Sequence, residues 1–173
     1  MSGAVLLIPF FLVRFGLLGL LSGEAVRRAA HFAPMEGGER LVYWIYQIST
    51  AGILISLFFL EITFEPLGLF LGGGAVYCLG IALLTASITD FAAPAADGLR
   101  RNGVYRLSRN PMYAAYFLVF LGCAALAGSW LLLGWLLAFQ LSAGQIVRAE
   151  ERWCVQRFGE AYQRYMEQVR RWL

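Results

Sequence analysis

An uninterrupted run of uncharged residues in the C-terminal half most constrains the fold of this chain. Residues 110–147 are 38 positions without one charged side chain. A membrane-spanning helix needs about 20 apolar residues, so the run is too long for one span and suits two. Gly128 and Ser129 lie near its middle and favour a turn. We therefore predict a helical hairpin inside a membrane.

The composition of the whole chain supports a membrane protein. Of its 173 residues, 60% are hydrophobic and 14% are charged, whereas soluble domains are about one quarter charged. The net charge is +3, and the basic residues cluster beside the apolar segments. This distribution favours anionic lipid head groups over nucleic acid as a partner.

Three further apolar segments precede the hairpin, and each is long enough to span a bilayer. They cover residues 4–21, 41–60 and 66–89. The first lacks both a preceding basic segment and a small-residue cleavage site, so we interpret it as a membrane helix and not as a signal peptide. The expected fold is all-α and polytopic, with about five transmembrane helices, a C-terminal helical hairpin and an amphipathic tail helix.

The placement of arginine predicts the orientation, because basic loops tend to stay on the cytoplasmic side. In a five-helix arrangement every arginine except Arg14 falls on one side; these are Arg27, Arg28, Arg40, Arg100, Arg101, Arg106, Arg109, Arg148, Arg152, Arg157, Arg164, Arg170 and Arg171. We therefore expect a multi-pass protein of a bacterial or archaeal cytoplasmic membrane with a cytoplasmic C-terminus. Arg14 lies inside the first span, where it snorkels, faces a polar cavity or pairs with Glu61 or Glu65.

The tail carries apolar residues at spacings of three and four, which is typical of an amphipathic helix. The stripe comprises Val155, Phe158, Tyr162, Tyr165, Val169 and Trp172. We expect one helix over residues 151–172 along the cytoplasmic surface, with Gly159 marking a break or a close contact. In the third span, Gly68, Gly72, Gly73 and Gly74 favour close helix packing.

Neither a metal site nor a disulfide framework is expected from the sequence. The three cysteines, Cys78, Cys123 and Cys154, lie far apart, and His31 is the single histidine. Buried small hydrophobic residues are the simplest interpretation of the cysteines.

Two polar segments border the predicted hairpin. Residues 103–113 read G-V-Y-R-L-S-R-N-P-M-Y, and the second segment begins with Glu150 and Glu151. Taken singly, Asn110 and Pro111 suit a helix start, the tyrosines suit a membrane interface, and the glutamates suit a solvated helix. The hairpin nevertheless returns both segments to one membrane face. We expect them to border a lipid-accessible pocket for a polar cofactor beside an apolar substrate; the residues alone do not name the cofactor.

These segments resemble the isoprenylcysteine carboxyl methyltransferase and phospholipid methyltransferase superfamily of integral membrane enzymes. That family's pattern is G-x-Y-x-x-x-R-H-P-x-Y, a helical hairpin, E-E and F-G-x-x-Y-x-x-Y. The matching residues are Gly103, Tyr105, Arg109, Pro111, Tyr113, Glu150, Glu151, Phe158, Gly159, Tyr162 and Tyr165. The N-terminal half matches only as apolar spans. The resemblance thus implies N-terminal helices that shape the substrate site (residues 1–95) and a cofactor-binding module (residues 96–173).

The resemblance implies S-adenosylmethionine as the methyl donor. It places the donor against Leu99, Arg100, Tyr105, Arg109, Asn110, Pro111, Met112, Tyr113, Glu150 and Glu151. For the reaction itself it points to Glu151 and Arg148, with Arg148 on the side of the acceptor. No metal ion is implied, because the sulfonium of the donor is already a strong electrophile.

One departure from the family pattern limits the mechanism. The usual histidine is Asn110 here, and an amide does not titrate near neutral pH, so it cannot serve as a general base. Alignment of the nucleophile with the methyl group and exclusion of water are then the main tasks, and positioning of this kind supplies ~7–11 kcal/mol. An ionised carboxylate or thiolate needs no base, whereas an amine must first lose a proton.

The expected function is methyl transfer to a lipophilic acceptor, such as a prenylcysteine-like carboxylate, a lipid or a small thiol. Two alternatives stay open at this point. One is a non-catalytic membrane scaffold of the same fold, against which the retained Tyr113 and glutamate pair speak. The other is a related membrane reductase with a nicotinamide cofactor, which the lack of a nucleotide-binding pattern disfavours. The sequence leaves the oligomeric state open.

Overall fold

The computed structural model of the chain describes residues 1–21, 23, 33–35, 37–93 and 98–172. The helices that position the site are α1 (Gly3–Leu21), α2 (Glu39–Phe59), α3 (Leu67–Ala92), α4 (Pro111–Leu126), α5 (Trp130–Phe158) and α6 (Glu160–Gln168). A 3-10 turn, Gly103–Arg106, precedes α4. Among the described residues there is no strand, and Ser2 and Glu61 form an isolated bridge.

The helices match what a membrane-spanning chain requires. Four of them, α1, α2, α3 and α5, are long and apolar enough to cross a membrane, and α4 is a shorter apolar helix of 16 residues. Large apolar side chains such as Leu20, Phe59 and Trp130 are more than four-fifths exposed, as lipid-facing residues should be. The predicted all-α polytopic fold is confirmed. The hairpin turns at Gly128 and Ser129, where Gly128 has φ +57° and the Ser129 side chain caps α5.

Helix α1 is irregular around its arginine. It begins as a 3-10 turn and contains a π-helical turn at Leu12–Leu17, within which Arg14 lies. The guanidinium carbon of Arg14 is 6.0 Å from the ring centroid of Tyr116 on α4. Glu61, by contrast, is bridged to Ser2, which is about 18 Å along α1 from Arg14 at 1.5 Å per residue. Arg14 thus lies beside the Tyr116 ring, and the choice between snorkelling, a polar cavity and pairing with a glutamate stays a prediction.

Helices α3 and α4 pack closely through glycine. A Cβ atom at Gly80 would lie 2.6 Å from the Val119 nitrogen, and one at Gly122 would lie 2.6 Å from the Tyr77 nitrogen. Such contacts matter in a membrane because lipid supplies no hydrophobic force between helices. The close approach fixes where the polar start of α4 stands relative to the end of α3.

Of the four glycines predicted to allow close helix packing in the third span, one lies at a helix contact. A Cβ at Gly73 would meet that of Ala125 at 2.8 Å, whereas Gly68, Gly72 and Gly74 have nothing within 4 Å. The prediction was wrong for these three, because their faces of α3 turn away from α4.

The apolar core lies between α1 and the other long helices. Phe139 of α5 is fully buried, with its ring centroid 5.1 Å from that of Tyr46 on α2 and 5.5 Å from that of Phe120 on α4. At the hairpin end, the Tyr77 hydroxyl donates to the Leu6 carbonyl at 2.6 Å and the Thr63 amide donates to the Leu126 carbonyl at 2.8 Å. These bonds tie the loop before α3 and the start of α1 to the bundle.

The tail differs from the single helix predicted for residues 151–172. Helix α5 continues to Phe158, so that its 29 residues extend about 43 Å at 1.5 Å per residue and exceed a hydrocarbon core of about 30 Å. Gly159, at φ +55°, breaks the chain direction. Helix α6 then ends at Gln168, and the last described residues are not helical. The predicted break at Gly159 is confirmed, and the predicted length was wrong.

The stripe of the tail packs on protein rather than lying free on a surface. Tyr162 and Tyr165 form a small core with Leu99, and Cys154, Val155, Phe158, Met166 and Val169 pack around it. Among the cysteines, Cys123 is buried and Cys154 half-buried, as expected, but Cys78 is exposed.

Some sequence expectations fall on residues outside the described ranges. These are the positions of Arg27, Arg28 and His31, together with the module boundary between residues 95 and 96. The division into two modules stays a prediction.

The contact between α3 and α4 yields a first prediction. Gly80→Ala should lower the free energy of unfolding by ~1–3 kcal/mol, because the new methyl group would enter the backbone of Val119. Thermal unfolding in detergent measures the loss. Gly74→Ala on the same helix is the matched control and should be neutral, since nothing lies within 4 Å of it. Equal stability of both variants would contradict the packing described.

Candidate active site

The segment before α4 is shaped by a turn that contacts the end of α3. Gly103 has φ +55°, and a Cβ there would lie 1.9 Å from Asp90 Oδ2, so no larger residue fits. The same carboxylate accepts the Val104 amide at 2.8 Å. Tyr105 is buried, and its carbonyl accepts the Tyr165 hydroxyl at 2.6 Å. The turn thereby joins α3 to the tail.

A buried carboxylate and two arginines form the centre of the site. Glu151 is 4% exposed. Its Oε1 lies 3.1 Å from Arg109 Nη2, and its Oε2 lies 2.8 Å from Arg171 Nη2. The Nε of Arg171 also reaches both oxygens, at 3.2 and 3.0 Å. We call Arg109, Glu151 and Arg171 the ion triad.

The residues after α6 lie against the start of α4 through main-chain contacts. We call residues 169–172 the C-terminal strap. The Arg109 amide donates to the Arg170 carbonyl at 2.9 Å. The Arg171 carbonyl accepts from Ser108 Oγ and from Asn110 Nδ2, both at 3.2 Å. The side-chain amide of Asn110 is therefore used to hold the strap, and it does not cap α4.

A second polar group lies between the helices. The Tyr113 hydroxyl donates to Glu150 Oε1 at 2.9 Å. The ring of Tyr113 meets those of Tyr46 and Tyr116 edge to face, each at 6.3 Å. Arg14, over the Tyr116 ring, completes this interior polar cluster. It draws on α1, α2, α4 and α5.

The remaining residues predicted to bind the methyl donor contact other parts of the chain. Leu99 is buried against Tyr162 and Tyr165. Arg100 Nε donates to the Phe91 carbonyl at 3.1 Å, with its guanidinium carbon 3.8 Å from the Phe91 ring centroid. Pro111 is buried at the first position of α4, and Met112 is partly buried against the main core.

A cavity of about 440 Å³ opens beside the ion triad. Its lining comprises Arg148, Glu151, Arg152, Val155, Gln156, Met166 and Arg171. Arg148 is exposed there, and Arg152 pairs with Glu39 at the start of α2. Because Glu151 is already paired with two arginines, the free charge facing this cavity is positive.

The structure divides the predicted site in two. Arg109, Asn110 and Glu151 meet at the strap, whereas Tyr113 and Glu150 meet inside the bundle. The two glutamates are neighbours on α5, and a helix turns about 100° per residue, so they face different partners. Arg148 lines the cavity and not the interior cluster.

Several residues of the site were not singled out from the sequence. They are Arg171, Tyr46, Tyr116 and Asp90. Asp90 could have been found, since it is an acidic residue at the end of a long apolar span. Arg171 had no comparable signal, because its partner is 20 residues away in sequence.

The pKa values of several groups outside the membrane spans are raised, either by hydrogen bonding or by burial. The hydrogen bond to Glu151 raises the pKa of Arg171, against the opposing effect of burial, so the guanidinium stays charged. Burial raises the pKa of Tyr165 to about 12, and burial also raises the pKa of Tyr105 and Tyr162. Tyr165 therefore remains a hydroxyl donor to the Tyr105 carbonyl at neutral pH.

Two buried polar atoms lack a partner among the described residues, namely Arg109 Nε and the Tyr116 hydroxyl. Buried polar atoms are usually hydrogen-bonded, so exceptions call for an explanation. One belongs to the ion triad and the other to the interior polar cluster. A carboxylate suits Arg109 Nε, which is a donor, and a polar group able to accept or donate a hydrogen bond suits the Tyr116 hydroxyl. No cluster of metal-ligating side chains occurs in the described parts of the chain.

Comparison with known protein families gives a match over part of the chain. Residues 85–161 match the model of the phospholipid methyltransferase family. The match runs from α3 to the start of α6, so it contains residues 103–113, the glutamate pair, Phe158 and Gly159, whereas Tyr162 and Tyr165 lie beyond its end. The match confirms the resemblance of this segment to the membrane methyltransferase superfamily. The family supports a membrane methyltransferase that acts on lipid-type substrates. No curated protein matched the chain.

The ion triad yields a second prediction. Glu151→Ala should lower the free energy of unfolding by ~3–5 kcal/mol, because it leaves Arg109 buried without its counter-ion. Denaturant unfolding in detergent measures the change. The control is Glu160→Ala, which removes an exposed pair with Arg164 and should cost ~0.3–0.5 kcal/mol. A loss as small as in the control would show that the triad contributes little.

Proposed function

We propose that the protein is an integral membrane methyltransferase that transfers a methyl group from S-adenosylmethionine to a lipophilic acceptor. The observation that carries the proposal is the matched phospholipid methyltransferase segment, which contains Arg109, Tyr113, Glu150 and Glu151 of the two polar groups. When bound, the donor supplies an electrophilic methyl group. The task of the protein is to hold donor and acceptor in line and to exclude water.

The proposed donor site is built from residues 99–113 and the glutamate pair. Tyr113 and Glu150 offer a hydroxyl and a carboxylate from inside the bundle, which suit an amine or a ribose hydroxyl. Arg109 Nε is a buried donor without a partner, which suits a carboxylate. Leu99, Arg100, Tyr105, Asn110, Pro111 and Met112 complete the proposed donor contacts, and Glu151 belongs to the site through its pairing with Arg109.

The proposed acceptor side is the cavity beside α5. Arg148 and Arg152 line it, and guanidinium groups recognise carboxylate or phosphate. We propose that Arg148 orients an acidic acceptor there. A carboxylate or thiolate would attack without a base, in keeping with the non-titrating Asn110. The apolar part of the acceptor would enter from the bilayer, which the exposed apolar faces of the helices border.

The two alternatives find less support. The family match favours methyl transfer over a nicotinamide-dependent reductase. A non-catalytic scaffold would have no use for an unpartnered buried donor at Arg109 of the first motif. Donor binding separates the scaffold from the enzyme.

We propose a cytoplasmic C-terminus in a bacterial or archaeal membrane, on the one-sided distribution of arginine. The site then opens toward the compartment that holds a water-soluble donor. A reporter that is active only outside the cytoplasm should be silent when fused to the C-terminus and active when fused to the N-terminus. The opposite pattern would refute this orientation.

A third prediction follows for the donor site. Tyr113→Phe should weaken binding of S-adenosylmethionine by roughly 10- to 100-fold, since a hydrogen bond to a charged group contributes ~1.5–3 kcal/mol. Calorimetry in detergent measures the affinity. Tyr77→Phe is matched, because it also removes a buried hydroxyl bond, to Leu6 at the hairpin end, and should leave affinity unchanged. If both variants bind the donor like the wild type, Tyr113 lies outside its site.

A fourth prediction concerns the acceptor. Arg148→Ala should raise KM or lower kcat for an acidic acceptor and leave donor affinity unchanged, because the lost guanidinium faces the cavity. A neutral acceptor should be nearly indifferent. Arg157→Ala, on the same helix but outside the lining, is the control. Weakened donor binding with unchanged acceptor kinetics would show that the division of the site is wrong.

A further inference from the structure

The carboxylate of Glu151 has no capacity left for another ligand. An ionised carboxylate offers about four lone-pair sites. Glu151 receives one contact from Arg109 and three from Arg171, at 2.8 to 3.2 Å. Its side chain is 5% exposed. A cationic or hydroxyl group of a bound molecule could reach it only by displacing one of the two arginines.

Arg171, which pairs with Glu151, lies in the C-terminal strap, and residues 108–110 hold the same strap. The strap is bonded through its carbonyl oxygens to Ser108, Arg109 and Asn110. Its charged side chain at Arg171 is bonded to Glu151. Trp172, at the end of the strap, lies beside Ala114 and Phe117 in a second cavity of about 230 Å³. The strap therefore passes over the start of α4 and is attached on both sides.

We propose that the ion triad is a latch, in which Glu151 acts on the methyl donor by holding the C-terminal strap against residues 108–110 and not by touching the donor. Glu151 is then a positioning residue, and Glu150, one position earlier, is the carboxylate left to meet the donor directly. This inference rests on the proposed function as far as it concerns the donor. The latch itself is a property of the chain and is testable without a donor.

The strap stays attached because the buried charges of the ion triad would be destabilising if they were unpaired. The side chain of Arg109 is 7% exposed, and a buried ion is tolerated only when it is paired. Releasing the strap would remove Arg171 from Glu151 and expose Arg109 and Asn110 to solvent. With the strap attached, Arg109 Nη2 is held by Glu151 and Nη1 by the Met166 carbonyl at 3.3 Å. This fixes the direction of the guanidinium and leaves its Nε for the donor.

The test compares Arg171→Gln, Glu151→Gln and the double variant with Arg170→Gln. Arg170 is the matched control, because it is the exposed neighbour in the strap and takes part in the contacts through its carbonyl. Glutamine at 151 keeps the size of the side chain, so the fold is retained more readily than with alanine. Three quantities are measured in detergent. The first is hydrogen exchange in residues 105–112 and 160–172 without donor, and the others are the affinity for S-adenosylmethionine and the steady-state kinetics with it.

The latch predicts that Arg171→Gln and Glu151→Gln both speed exchange in these two segments at least 10-fold, whereas Arg170→Gln does not. Both should weaken donor binding by roughly 10- to 100-fold, and the double variant should be no weaker than the poorer single one, since one contact is lost in each case. Donor KM should rise while kcat at saturating donor changes by less than about twofold, because no reacting atom loses a contact.

Direct contact of Glu151 with the donor predicts a different pattern. Arg171→Gln would then free a carboxylate and leave donor affinity unchanged or improved, while Glu151→Gln would weaken it; this result would overturn the proposal. If the wild type binds no donor, the proposed function fails, and the exchange data still decide on the latch. Exchange in Arg171→Gln equal to that in Arg170→Gln would overturn it.

Discussion

The buried charge of Glu151 is the constraint on which the arginine-rich end of the molecule depends. A carboxylate at 4% exposure needs counter-ions and hydrogen bonds, and here two arginines from distant parts of the chain supply them. Arg109 comes from the segment before α4, and Arg171 comes from the strap. The charge of Glu151 thereby links α5 to the segment before α4 and to the strap. Hydropathy alone does not predict this connection. Pairs of this kind contribute modestly to net stability, but the loss of one partner is expensive.

Close packing of α3 on α4 provides the other fixed reference. Gly80 and Gly122 let the two helices approach to backbone contact. Because of this approach, Asp90 at the end of α3 reaches the turn at Gly103 and Val104. The turn in turn supports Tyr105, to which the tail is bonded through Tyr165. Helix packing inside the membrane thus determines the geometry of polar residues at its edge.

The two glutamates on α5 show how one motif can serve two purposes. Glu150 faces Tyr113 and the interior polar cluster, and Glu151 faces the strap. A methyl donor of zwitterionic character needs polar groups from the protein, and a lipophilic acceptor needs access from the bilayer. Under the proposed function, an arginine-rich outer side and a polar interior would meet both needs. The arginine-lined cavity beside α5 adds a surface for an acidic group.

The sequence by itself determined the helices, the hairpin turn at Gly128 and the resemblance to membrane methyltransferases, because hydropathy, turn residues and motif spacing are local properties. It also located the break at Gly159. The tertiary structure alone decided that Glu150 and Glu151 have separate partners, that Arg171 joins the site and that Gly80 and Gly122, not Gly68 and Gly72, are at the helix contact. These features depend on how far each helix is rotated and shifted against its neighbours. Rotation and shift follow from long-range packing, which no local pattern in the chain records.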